Sequence, residues 1–151
     1  MATRKTWAEK MKTPAAPEVK RTEKAFTDIP EHSLMLIPTP VIIDAYIKQI
    51  PKGRAMDVTT LSNDLAAEHH AAKTCPLTTG IFLRIVAEAA WEEHVKGKAL
   101  KNITPFWRVI DERSKVAAKL ACGAEKIAEL RKREGILPQG RIKAKNRKSV
   151  V

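Results

Sequence analysis

The sequence predicts a mainly α protein with short strands, on three observations. Apolar residues recur at helical spacing in four segments, each marked by a cap or a stop residue. β-favouring residues gather only in short runs, Leu34-Met35-Leu36-Ile37 and Phe106 to Ile110. The longest apolar runs fall well short of the ~20 residues that span a bilayer, and no internal repeat is present. A chain of 151 residues, 44% of them apolar, supplies one core with loose ends.

Residues 1–30 hold Pro14, Pro17, Pro30 and many lysines, and read as a basic flexible arm. A short helix over 6–11 would put Trp7 and Met11 on one face. A folded domain over 31–137 follows, then a basic tail over 138–151 that reads as a β-ribbon or a mobile arm. Leu34 to Ile37 is expected as a strand. Thr39 is a natural N-cap and Pro40 suits the first helical position, so a helix is expected over 41–50. Ile43, Tyr46, Ile47 and Ile50 form its core stripe, and Pro51-Lys52-Gly53 stops it.

Met56-Asp57-Val58 reads as a brief strand or turn. Thr59 or Thr60 is the expected cap of a helix running to His70, with Leu61 and Leu65 inward. Pro76 opens a longer helix to about His94, its apolar face taken as Leu77, Ile81, Ile85 and Ala89, with Phe82 and Val86 widening it. Gly80 inside that helix costs about 1 kcal/mol against Ala, so a close backbone approach is expected there. Lys96-Gly97-Lys98 closes the helix. Phe106 to Ile110 is expected as a strand, and 124–134 as a helix with Ile127 and Leu130 inward and Gly135 at its end.

Charge narrows the function classes. Residues 1–95 carry 12 basic and 12 acidic side chains, while residues 96–151 carry 16 basic and 5 acidic, so the second part accounts for the whole net charge of +11. A one-sided field of this kind favours polyanions, nucleic acid ahead of membrane. Two cysteines, Cys75 and Cys122, give neither a disulfide framework nor a four-ligand zinc pattern. His69, His70 and His94 match no standard metal spacing, and no metal or other cofactor is expected. The first residues lack an apolar signal core, so a soluble cytoplasmic or nucleoid-associated protein is expected.

The helices over 58–70 and 76–94 form a helix-turn-helix candidate, whose second helix would enter a groove by its first turn. Thr78, Thr79 and the free N–H groups of that turn would then bond phosphates, with Thr59, Thr60 and Lys73 anchoring the flanking backbone. The plainer alternative has Thr59 and Thr60 capping and Thr78 and Thr79 packing.

The order of Pro51-Lys52-Gly53, the helix pair, Thr104-Pro105-Phe106-Trp107-Arg108-Val109-Ile110 and Lys132-Arg133-Glu134-Gly135-Ile136 resembles the DNA-binding domain of alkylguanine-DNA alkyltransferases. The resemblance covers about residues 37–136, with an insertion over 92–101. It implies a winged-helix or helix-turn-helix-like alkyltransferase C-terminal domain whose second helix enters the minor groove. Leu77 stands where the family's intruding Arg would stand, which makes it a candidate apolar wedge. The family's Tyr in its Thr-Tyr-Gly run has no counterpart at Thr59-Thr60-Leu61.

In the family's Pro-Cys-His-Arg-Val segment the Cys accepts the alkyl group. Phe106 and Trp107 occupy the Cys and His positions here, and neither side chain can do that chemistry. The resemblance therefore implies an alkyltransferase-like protein that binds alkylated or otherwise damaged bases in duplex DNA without alkyl transfer. It would act as a monomer, with a repair protein as a further partner. Phe106 and Trp107 would offer an extruded base a stacking surface, unless one ring turns into the core. Lys98, Lys101, Arg108 and the basic end would hold phosphates.

Two other classes stay open. Cys75, at a helix start beside His69, His70 and Lys73, is an alternative alkyl acceptor for a methylated-DNA–protein cysteine methyltransferase. A protein-interaction module would instead offer its basic face to an acidic partner.

Overall fold

The computed structural model describes residues 6–12, 16–25 and 29–136. The basic tail expected over 138–151 lies outside them. The described chain is mainly helical, with one small sheet.

Helix α1 (Trp7–Lys10) is closed by a capping box, with Thr6 Oγ1 accepting from Glu9 N at 3.1 Å and Glu9 Oε1 accepting from Thr6 N at 2.7 Å. Strand β1 (Glu18–Arg21) then pairs antiparallel with β2 (Leu34–Ile37), Val19 opposite Leu36. The short helix expected over 6–11 is thus present, and the stretch after it, expected as a loose arm, contains a strand. Thr22 ties the β1–β2 connection, its hydroxyl donating to Pro30 O at 2.8 Å and accepting from Ser33 N at 2.9 Å. The burial pattern of β1 is exposed throughout, so its residues give none of the apolar alternation by which strands are recognised.

Helix α2 (Pro40–Lys48) starts as expected, Thr39 Oγ1 accepting from Ile42 N at 3.2 Å with Pro40 in the first turn. Ile43, Ile47 and Ile50 are buried; Tyr46 is half-buried and donates its hydroxyl to Asp64. Helix α3 (Val58–Glu68) is capped by Asp57, whose Oδ1 accepts from Thr60 N at 2.7 Å. The expectation of Thr59 or Thr60 as cap is corrected: both lie inside the helix. Asp57, the residue just before the helix, places its carboxylate on the orphan amide and also complements the positive helix start.

Strand β3 (Lys73–Thr74) adds to the sheet parallel to β2, in the order β1-β2-β3 among the described residues. Helix α4 (Pro76–Val95) leaves that strand and crosses the core against α2, with α1 along it. Thr79, Leu83, Ile85, Val86, Ala87 and Ala90 are buried along α4, Ile85 and Val86 as expected. Leu77 and Ile81, expected inward, are 62% and 50% exposed. The helix is apolar on more than one side, so spacing alone did not single out its buried face. Glu88 is buried on α4, accepting from Ala121 N at 3.1 Å and pairing with Arg84 at 3.5 Å. Around the would-be Cβ of Gly80 no atom lies within 4 Å, which corrects the expected close approach.

Two 3-10 turns follow, Leu100–Asn102 and Phe106–Arg108. Helix α5 (Lys115–Lys119), not expected from the sequence, is capped by Ser114, whose Oγ accepts from Ala117 N at 3.1 Å. Helix α6 (Gly123–Arg133) ends at Gly135 with φ +80°, where Gly135 N donates to Lys132 O at 3.0 Å and Ile136 N to Arg131 O at 2.9 Å. That pair of bonds is the left-handed helix stop that glycine favours. The core lies between α2, α3, α4 and α6, each fully buried Leu or Ile contributing about 1.5–3 kcal/mol.

Candidate nucleic-acid interface

The start of α4 is built by its link to the sheet. Cys75 N donates to Leu36 O at 2.8 Å, which pins the residue before Pro76 to β2. Pro76 has no N–H, and Thr79 N already donates to Cys75 O at 3.1 Å, so Leu77 and Thr78 carry the amides of the first turn that helix geometry leaves unpaired. Leu77 projects outward, with Ile81 one turn behind it.

The two threonines divide. Thr79 is 1% exposed and its hydroxyl donates to Cys75 O at 2.7 Å, so it packs and cannot reach a phosphate. Thr78 is half-buried, with a longer bond of 3.4 Å to the same carbonyl. Thr59 is exposed and Thr60 half-buried on the first turn of α3, while Lys73 is half-buried in β3. The connection from His69 to Cys75 contains a strand and is longer than the ~3–4-residue turn of a helix-turn-helix. Arg84 leans over the Trp7 ring, 5.4 Å from its centroid.

Cys75 is buried, only 5% exposed, which corrects the picture of an accessible thiolate at a helix start. Its neighbours pack it at the junction of β2 and α4. Cys122 is half-buried, and burial, followed by the Glu88 carboxylate, pushes its thiol up to about 11.

The Phe106–Arg108 segment is a 3-10 turn and not the expected strand. Phe106 N donates to Thr104 O at 2.8 Å and Val109 N to Phe106 O at 3.1 Å. In a strand Phe106 and Trp107 would face opposite sides. The tight turn instead lets both enter the core, 0% and 4% exposed, with their rings edge-to-face at 5.2 Å. A stacking surface formed by both rings is therefore not presented.

Arg108 is likewise held inside. Its Nε and Nη2 each donate at 2.9 Å to the two oxygens of Glu134, and its Nη1 donates at 2.7 Å to Ile50 O. The side chains are 14% and 9% exposed, so this arginine fastens the ends of α2 and α6 and does not reach out to a phosphate. Burial pushes the Glu134 carboxyl up, but Arg108, the nearby Trp107 indole and the Gly53 N–H outweigh it and hold the group below its ordinary value. The indole N–H itself stops short of hydrogen-bond geometry. Arg131, 1% exposed, donates at 2.6 Å to Trp107 O and locks the same turn from beneath.

Around this strut lies a cavity of about 520 Å³. Lys48, Lys52, Lys101, Arg108 and Arg133 contribute cations to its wall, and Glu134 is the one carboxylate among the lining residues. The sequence reading selected Lys101 and Arg108 but missed Lys48, Lys52 and Arg133. The available signal was the pair of basic helix stops, Lys48 with Pro51-Lys52-Gly53 and Lys132-Arg133-Glu134-Gly135. Gly53 brings them together: its N–H donates to Glu134 Oε1 at 3.2 Å, and its own φ is +84°.

Lys98 is exposed, 3.5 Å from Glu93, and lines a smaller neighbouring cavity that shares Lys48 and Asn102. That smaller cavity meets α4 at Val86 and beyond, ~14 Å or more along the helix from Leu77. No residue of α4 lines the basic cavity, so the apolar tip of α4 and that cavity are separate features. No group of three or more metal-ligating side chains occurs among the described residues, and none of their helices is long and apolar enough to cross a membrane. Comparison with protein-family models, curated proteins and solved structures finds no match to this chain.

Proposed function

We propose that this protein binds duplex DNA non-covalently, as an alkyltransferase-like protein on a winged-helix-type scaffold, with alkylated or damaged bases as the candidate target. The observation that carries the reading is the leading end of α4, where Leu77 stands 62% exposed although Thr79, Leu83 and Val86 of the same helix are buried in the core. An apolar side chain held outward at a rigid helix start is suited to part a base step. The basic excess of the C-terminal part supplies attraction to phosphates without sequence preference. The burial of Cys75, Phe106 and Trp107 favours binding over alkyl transfer.

Fluorescence anisotropy with plain and O6-alkylguanine duplexes tests this. Affinity should fall steeply between ~50 and ~200 mM salt, as counterion release requires. Leu77→Glu should abolish any preference for the alkylated duplex, and mass spectrometry should find no adduct on Cys75. Salt-independent affinity, or full lesion preference in Leu77→Glu, refutes the reading. Capture of an acidic protein that duplex DNA cannot displace would instead favour the interaction-module alternative.

A further inference from the structure

We propose that the basic cavity between the ends of α2 and α6 binds the phosphate-bearing unit of a nucleotide, free or at the end of a strand. The inference stands apart from the docking of α4 on duplex DNA, because cavity and helix tip are separate.

The charge balance of the wall is the first argument. Glu134 is neutralised by its bidentate bond to Arg108, and Lys48 and Arg133 are shared with Asp44 at 2.9 Å and Glu129 at 2.7 Å. Lys52 and Lys101 have no ion pair among the described residues. Two lysines without a counter-charge among the described residues therefore border one concave space, which concentrates positive potential where a phosphate would sit. Lysine suits a phosphate as a mobile point charge.

The lining is the second argument. Leu100, Ile103, Pro105 and Leu130 add apolar surface to it. Inorganic phosphate has no use for such a surface; a base or sugar does. Asn102 adds an amide, one donor and one acceptor side, that can meet a base edge. The volume of about 520 Å³ falls within the ~300–1,000 Å³ of small-ligand sites. The rigidity of the frame is the third: Arg108, Glu134 and Gly53 hold the two helix ends in one arrangement before any ligand arrives.

The test uses the full chain with Trp7 and Trp91 replaced by Phe, so that Trp107 in the cavity wall reports binding. dGMP, deoxyguanosine and inorganic phosphate are titrated, with calorimetry in parallel on the unmodified chain. Binding of dGMP should be at least tenfold tighter than that of either fragment. Lys52→Glu and Lys101→Glu should each weaken it at least tenfold without lowering the melting temperature, and Lys101→Arg should restore it. A 5′-phosphorylated single strand compared with its 5′-hydroxyl twin distinguishes a strand end from a free nucleotide. No dGMP binding at millimolar concentration, equal binding of the nucleoside, or indifference to both charge reversals overturns the proposal. Leu77→Glu should leave dGMP binding unchanged, so failure here and failure of duplex docking are read separately.

Discussion

Removing the Glu134 carboxylate should destabilise the protein far more than losing a surface ion pair. Glu134→Ala leaves Arg108 with its charge, still largely enclosed, and only the 2.7 Å bond to Ile50 O of its three bonds. It also strips Gly53 N of its acceptor. An uncompensated charge in such a site costs about 3–5 kcal/mol, whereas an exposed pair is worth about 0.2–1 kcal/mol. The double variant Arg108→Met with Glu134→Leu removes both charges together and replaces them by apolar volume. It should recover most of the loss, because desolvation of the pair offsets much of its attraction. Urea unfolding followed by circular dichroism reads this as a drop in midpoint at unchanged slope. A loss below about 1 kcal/mol for Glu134→Ala, or a double variant as unstable as the sum of the singles, would refute the strut and with it the rigid frame of the basic cavity.

The same pair sets an acid limit. Since the folded-state Glu134 lies below the ordinary value of about 4.3, its contribution is complete above that pH and is lost as pH falls through the lowered value, so Glu134→Gln should flatten the acid limb of a stability–pH curve. Gly80→Ala should stabilise the protein by about 0.5–1 kcal/mol, because its helical site is open to a Cβ, and thermal melting checks the sign. Gly53→Ala should do the opposite, being strained at φ +84° and only 3.3 Å from Glu134 O. Thiol titration of the native protein should label Cys122 slowly near neutral pH and faster as pH approaches about 11, while Cys75 reacts only on unfolding; rapid native labelling of Cys75 would reopen the enzyme alternative.

Elements with local signals were legible. Thr39-Pro40 announced α2, Pro76 announced α4 and Gly135 the end of α6, because caps and stops are chemistry within a few residues. The β1 strand left no such trace, since its pairing with β2 depends on partners distant in the sequence. The inward face of α4 was read only in part for a related reason: Ile85 and Val86 are buried as expected, but Leu77 and Ile81 fit an apolar stripe as well as Leu83 does, and packing against α2 and α1 decided between them.

The site illustrates the same limit more sharply. Reading Phe106-Trp107-Arg108 as a strand placed an aromatic and a guanidinium where a ligand could meet them. Pro105 and the tight turn after it rotate all three inward, and Glu134, which lies 26 residues beyond Arg108, supplies the partner that keeps the guanidinium there. An arginine in a basic sequence was thus assigned to phosphate by its charge, although its carboxylate was present in the same chain. Two of the cations that border the cavity, Lys52 and Lys101, flank helix and turn ends with no carboxylate paired to them among the described residues. For a chain this basic, the useful discriminator of a phosphate contact is therefore the absence of an internal partner, which only the packed structure supplies.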